Sequence, residues 1–154
     1  MLKIRPVKQI TSHCGPATLQ MVFDYYGKHF NGKEIAKVAE TTNEEGTSYL
    51  QMIKAIKFFG FKVSYKEKSS FKEIHKLVIN KKIPVIINWF SEYDGHYSVV
   101  IGIDNKNIYF IDPEYGKKTK MSLKIFERIW FGINGNLFRS KEDLRIRPII
   151  IVKN

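Results

Sequence analysis

The chain has 154 residues, 44% of them hydrophobic and 27% charged, with a formal charge of +11. That balance excludes disorder as the default and provides for a hydrophobic core without staples. A single cysteine excludes an internal disulfide framework and any zinc cluster of four thiolates.

The N-terminus, Met-Leu-Lys-Ile-Arg-Pro, has charges but no apolar run of signal-peptide length. No stretch approaches the roughly 18 apolar residues of a spanning helix. A soluble, cytoplasmic protein is expected, with residues 1–154 as one domain. Helical spacing starts at Cys14 and runs through Ala17, Thr18, Met21, Val22 and Tyr25. Pro16 suits the first turn and Gly27 the stop. Asn31 with Glu34, and Ser70 with Glu73, resemble capping boxes. Thr47 or Ser48 is expected to cap a further helix ending at Gly60.

The second half is expected to form strands. Phe61–Tyr65 is short, and Ile83–Phe90 is a continuous apolar run suited to a buried strand. His96–Ile103 is rich in β-branched residues. Residues 104–107 have hairpin-turn composition, and Ile108–Ile111 is the return strand. A short helix over Leu123–Trp130 and a last strand over Pro148–Val152 complete the chain. Helices first and an antiparallel sheet second predict an α+β fold.

Cys14 opens the first predicted helix, where unpaired N–H groups and the helix dipole favour a thiolate. By position alone it also suits a small core residue. Gly15 next to it leaves the approach to the sulfur open. Of the four histidines, His13 adjoins Cys14 and leaves in another direction, His29 lies in a loop, and His75 has a solvated helix position. His96 begins an apolar strand after the turn-like Asp94-Gly95, well placed for a base facing a helix-borne thiol. Taken alone, it is equally a water-exposed strand-edge histidine. Asp112 ends the return strand, so the hairpin brings it to the same end of the sheet as His96. By itself Asp112-Pro113 is turn chemistry. The combination favours a Cys–His–Asp site.

These residues, in order, resemble the C39 family of papain-like cysteine peptidases. The matching segments are Gln9 with Cys14–Val22, Tyr25-Tyr26-Gly27, Glu45–Ser48, Gly95–Gly102 and Ile111-Asp112-Pro113. The resemblance implies a papain-like fold with Cys14 as nucleophile, His96 as general base and then acid, and Asp112 orienting His96. It also implies that Gln9 donates to an oxyanion hole together with the Cys14 N–H. Gln9 stands five residues before Cys14, where the family's glutamine usually stands one further away, so a tighter connecting turn is expected. The implied substrate is a peptide or precursor protein, cut after a double-glycine leader, and the basic charge of the chain suits an acidic leader helix. The best-known members are joined to exporters, so association with an exporter is a further expectation.

Two other activities use the same residues: a thiol-dependent acyltransferase or amidase, and a non-catalytic peptide-binding domain. The basic charge raises nucleic acid as a partner. The lysines are scattered, however, at Lys33, Lys37, Lys54, Lys57, Lys66, Lys81, Lys106 and Lys117, without a nucleic-acid motif, and none is expected. No cofactor or metal is expected either. His13-Cys14 lacks further ligands at metal spacing, and the glycines at 132 and 135 lack a phosphate loop's strand-to-helix context.

Overall fold

In the computed structural model, residues 1–92, 94–133 and 138–154 are described; Gly135 lies outside them. Three helices come first: α1 (Cys14–Tyr25), α2 (Gly32–Val38) and α3 (Tyr49–Phe58). Their ends follow local chemistry. Gly27 and Gly60 adopt φ of +75° and +81° just past α1 and α3, a conformation glycine takes without steric cost. Asn31 Oδ1 accepts from Glu34 N at the start of α2. Ser48, rather than Thr47, caps α3 in a full capping box with Gln51.

Strand β1 (Lys62–Lys66) follows, then α4 (Phe71–His75), which continues as a π-turn over Lys76–Asn80. Strands β2 (Val85–Ser91), β3 (Asp94–Ile103), β4 (Asn107–Asp112) and β5 (Lys117–Ser122) form a meander. Helix α5 (Leu123–Ile129), β6 (Phe131–Ile133), β7 (Leu144–Ile146) and β8 (Ile149–Lys153) end the chain. Among the described residues, six strands make one antiparallel sheet in the order β1-β8-β2-β3-β4-β5, and β6 pairs with β7. The expected α+β fold, with N-terminal helices packed on an antiparallel sheet, is present.

Three strands, β5, β6 and β7, were not expected from the sequence. The β5 sequence is Lys-Lys-Thr-Lys-Met-Ser, an edge strand that pairs through its backbone and buries none of its side chains fully. Lysines on an edge also discourage pairing with another chain. The short β6 and β7 carry too few residues to show a period.

The core lies between α1 and the sheet and continues beneath α5. Leu19, Met21, Val22 and Phe23 of α1 are fully buried. Phe23 stacks on Phe61 at 4.6 Å between ring centroids. The Thr18 hydroxyl donates to the Tyr97 carbonyl of β3. On α5, Phe126 packs near Trp89 of β2 and Phe110 of β4. The β3–β4 turn is closed by Asp104, whose Oδ1 accepts from the backbone N–H of Lys106 and Asn107, each at 2.7 Å. These local bonds explain why the hairpin is visible in sequence.

Candidate active site

Cys14 is the first residue of α1 and is partly exposed. His13 occupies the N-cap but makes no side-chain cap; its Nδ1 donates instead to the Thr11 carbonyl at 2.6 Å. His13 thus turns away from its neighbour, as the sequence suggested. The start of α1 leaves backbone N–H groups free at Cys14 and Gly15, and Pro16 has none to satisfy.

Gly15 differs from its expected role. It is buried, and a Cβ there would lie 2.8 Å from Thr47 Oγ1, 2.9 Å from Thr47 Cβ and 3.0 Å from Met52 Sδ. Its smallness lets α1 approach α3 closely; it does not clear a path to the sulfur.

His96 and Asp112 meet on the sheet. His96 is 6% exposed and Asp112 3%, so neither is the water-exposed residue each could have been alone. His96 Nε2 donates to Asp112 Oδ1 at 2.7 Å, since a carboxylate only accepts. That bond leaves Nδ1 for another partner; Cys14 lines the same cleft as His96 and acts on the ring electrostatically. Burial by itself would lower the His96 pKa. The bonds to Asp112 and Cys14, with the charges of both, outweigh it and push the value up to about 10. Its partners, Asp112 first, thus favour the protonated ring against the cost of burial.

The strand register is what allows this pairing. Ile103 lies opposite Ile108 and Gly102 opposite Tyr109, but Val100 lies opposite Phe110 and Val99 opposite Ile111. The shift between Val100 and Gly102 is a β-bulge that inserts Ile101 as one extra residue. Continuing this register sets Asp112 opposite Ser98, on the same face as His96. Without the bulge, Asp112 would fall opposite Val99 and point to the other face. The Ile101 carbonyl at the bulge accepts from Leu2 N at 2.7 Å.

Trp89 lies directly across from His96. Its ring meets the imidazole edge-on, 5.6 Å between centroids at 79°. Its Nε1 donates to Ser98 Oγ at 3.0 Å, which fixes the indole as a wall beside His96. Period-two alternation could have found Trp89 once the β2–β3 pairing was known, but the sequence alone does not give that pairing.

A cleft of about 310 Å³ is lined by Lys8, Gln9, Ile10, Thr11, Ser12, Cys14, Asp94, Gly95, His96 and Glu114. All but one of the expected site residues line it; Asp112 lies behind His96. Gln9 Nε2 donates to Glu114 Oε2 at 2.7 Å, while Gln9 Oε1 is buried without a protein partner. The short connection from Gln9 to Cys14 passes through Ser12 at φ +59°, a left-handed conformation costly for a non-glycine residue. Asp94, missed by sequence reasoning, lies on the opposite rim. Burial raises its carboxyl pKa, and His96 partly offsets the shift.

A thiol at a helix start, an imidazole and a buried carboxylate on an antiparallel sheet define a papain-like cysteine peptidase fold with an arrangement consistent with a catalytic triad. Residues 4–141 match the family described as the Peptidase C39 family, and the chain belongs to it. It is 32% identical over 123 residues to the transport/processing ATP-binding protein ComA of Streptococcus pneumoniae, covering 78% of this chain and 16% of that protein. It thus spans about a sixth of that relative's length. The crystal structure of the peptidase domain of Streptococcus ComA, a bi-functional ABC transporter, superposes with a TM-score of 0.73 at 24% identity, covering 99% of this chain and 98% of that one. A double glycine motif protease from an AMS/PCAT transporter, solved with its leader peptide, has the same TM-score and identity and covers 99% and 92%. No described helix is long and apolar enough to cross a membrane.

Proposed function

We propose that this chain is a cysteine peptidase that cleaves a precursor peptide after a double-glycine leader. The observation that carries this reading is the buried His96–Asp112 pair, with Cys14 acting on the same imidazole. In the mechanism, the Cys14 thiolate attacks the scissile carbonyl. The oxyanion that forms is held by the Cys14 backbone N–H and the Gln9 side-chain amide. His96, kept oriented and charged by Asp112, gives its proton to the departing amine. A thioester remains on Cys14. His96, now neutral, takes a proton from water, which attacks the thioester and releases the acid.

The leader assignment is supported by a second groove of about 330 Å³, on the other side of the Val7–Ile10 segment. Its walls include Val7, Ile10, Pro16 and Ala17, with Lys8 and Lys33 among its basic residues. Lys8, Gln9 and Ile10 line both this groove and the cleft. An apolar trough with cations suits an amphipathic acidic helix leading into Cys14. A cytoplasmic setting next to an exporter fits the same reading.

The test is incubation with double-glycine precursor peptides and mass analysis of the products. Wild-type protein is expected to cut after the second glycine, and Cys14→Ala to lower the rate by at least about a thousandfold. Undiminished cleavage by Cys14→Ala, or none by the wild type, overturns the proposal. Adding an amine nucleophile separates hydrolysis from acyl transfer. An acyltransferase would form the amide faster than the acid.

A further inference from the structure

One short turn, residues 112–114, joins the two sides of the cleft. Asp112 Oδ1 accepts from His96 Nε2 at 2.7 Å and from the Glu114 backbone N–H at 3.0 Å. The Pro113 carbonyl accepts from the Gln9 backbone N–H at 2.8 Å. Glu114 Oε2 accepts from Gln9 Nε2 at 2.7 Å. The turn thus holds the imidazole through one residue and Gln9 through the next two.

We propose that Glu114 is a positioning residue that fixes the Gln9 amide with its nitrogen toward the reacting carbonyl. This rests on the peptidase reading and on Gln9 as an oxyanion donor. A primary amide has two faces of opposite sense: a nitrogen with two N–H donors and an oxygen that accepts. Turning it over would place an acceptor beside the growing oxyanion and repel it. The backbone gives Gln9 little help, because only four residues separate it from Cys14 and the path bends through Ser12 at φ +59°. Gln9 Oε1 has no protein donor among the described residues, so the bond from Nε2 to Glu114 is the side-chain contact that sets which way the amide faces. A carboxylate accepts and never donates, so Glu114 tolerates only the nitrogen on its side. It uses one N–H of Gln9 and leaves the second for the oxyanion.

The test measures each state separately. Glu114→Ala removes the acceptor and keeps the backbone N–H that binds Asp112. It is expected to lower kcat about tenfold, less than the loss of an oxyanion donor outright (on the order of 100-fold). KM and the rate of Cys14 alkylation by iodoacetamide are expected to stay at wild-type values, because neither reads an oxyanion. The inhibition constant of a peptide aldehyde, whose adduct with Cys14 mimics the intermediate, is expected to rise about tenfold. Glu114→Gln, which can present its carbonyl oxygen or its own N–H to Gln9 and so no longer selects one orientation, is expected to recover only part of kcat. In a Gln9→Ala background, Glu114→Ala is expected to change nothing further.

Equal kcat losses from Glu114→Ala with and without Gln9 overturn the proposal. So do wild-type kcat and aldehyde affinity in Glu114→Ala, alkylation that slows in step with kcat, or wild-type kcat in Gln9→Ala. A wild-type protein that neither cleaves nor binds the aldehyde overturns the peptidase reading itself, a result distinct from all of these.

Discussion

On the sheet side of the cleft, His96 and Asp112 are almost wholly buried, hydrogen-bonded to each other and walled by Trp89. On the helix side, Gln9 and Cys14 are partly exposed, Ile10 is 62% exposed, and the connecting chain bends at Ser12 with positive φ. The sheet side fixes an imidazole through a buried hydrogen bond and packing. The helix side presents donors and a thiol on a surface strap held at few points. A buried charge pair tolerates no loss of one partner, because the remaining charge is left in low dielectric. A half-exposed thiol can be removed with little structural cost. The two sides of one site are therefore expected to respond oppositely to mutation, with chemistry separable from stability on the helix side only.

The largest stability effect is expected on the sheet side. Asp112→Ala strands His96 and should cost about 3–5 kcal/mol of stability, read by denaturant unfolding, as well as peptidase activity. Cys14→Ala should lose the activity while changing stability by about 1 kcal/mol or less. Equal stability of the two variants would end the contrast between the sides.

Most of the sheet side was legible in the sequence, because local signals specify it. The β-branched run from Tyr97, the Asp104 turn and the return strand define a hairpin, and the hairpin brings His96 to Asp112. Both ends of α1 were legible for a similar reason, through Pro16 at the start and Gly27 past the end. Contacts made by distant pairing were not. Strand β8 enters between β1 and β2, a register set by burial and not by any adjacent turn. The bulge at Ile101 has one local mark, the isolated Gly102 within the strand, but the bond that holds it, from Leu2 N to the Ile101 carbonyl, comes from the far end of the chain. Glu114 carries no signal in the sequence, since nothing local says that Gln9 reaches it. Gly15 next to Cys14 suggests an opening at the sulfur, because Thr47, which packs against it, lies more than thirty residues away.

A pH titration sharpens the same comparison. The folded His96 pKa is raised to about 10, against about 6.5 in an unfolded chain. Its contribution to stability is fully present below about pH 6.5 and declines as pH rises toward 10. Unfolding by denaturant between pH 6 and pH 9 is read in a Cys14→Ala background, where no thiol titrates in the same window, and stability there should fall steadily. Asp112→Asn removes the charge of the main partner that holds the proton, so its curve should be flatter. Staying below pH 9 keeps tyrosine ionisation out of the slope, since Tyr26, Tyr65 and Tyr97 are all raised above their ordinary value by burial. A Cys14→Ala curve as flat as that of the Cys14→Ala/Asp112→Asn double variant would show that the imidazole is not held charged.

The smallest effect tests where the helix side is rigid. Gly15 lies one residue from the thiol, yet its backbone is wedged against Thr47, whose Oγ1 pairs with Thr41 Oγ1 at 2.8 Å. Thr47 is short and β-branched, so it cannot swing away from an added methyl as a long side chain would. Gly15→Ala should therefore push α1 off α3 and cost about 1–3 kcal/mol, although alanine is the better helix former. Because Cys14 moves with α1, its alkylation by iodoacetamide should slow in the same variant. Changes at Ser12 or Ile10, on the strap, should leave that rate nearly unchanged. If Gly15→Ala melts with the wild type and alkylates at the same rate, then α1 is free to adjust, and the thiol is held by the strap and not by the packing of its helix on α3.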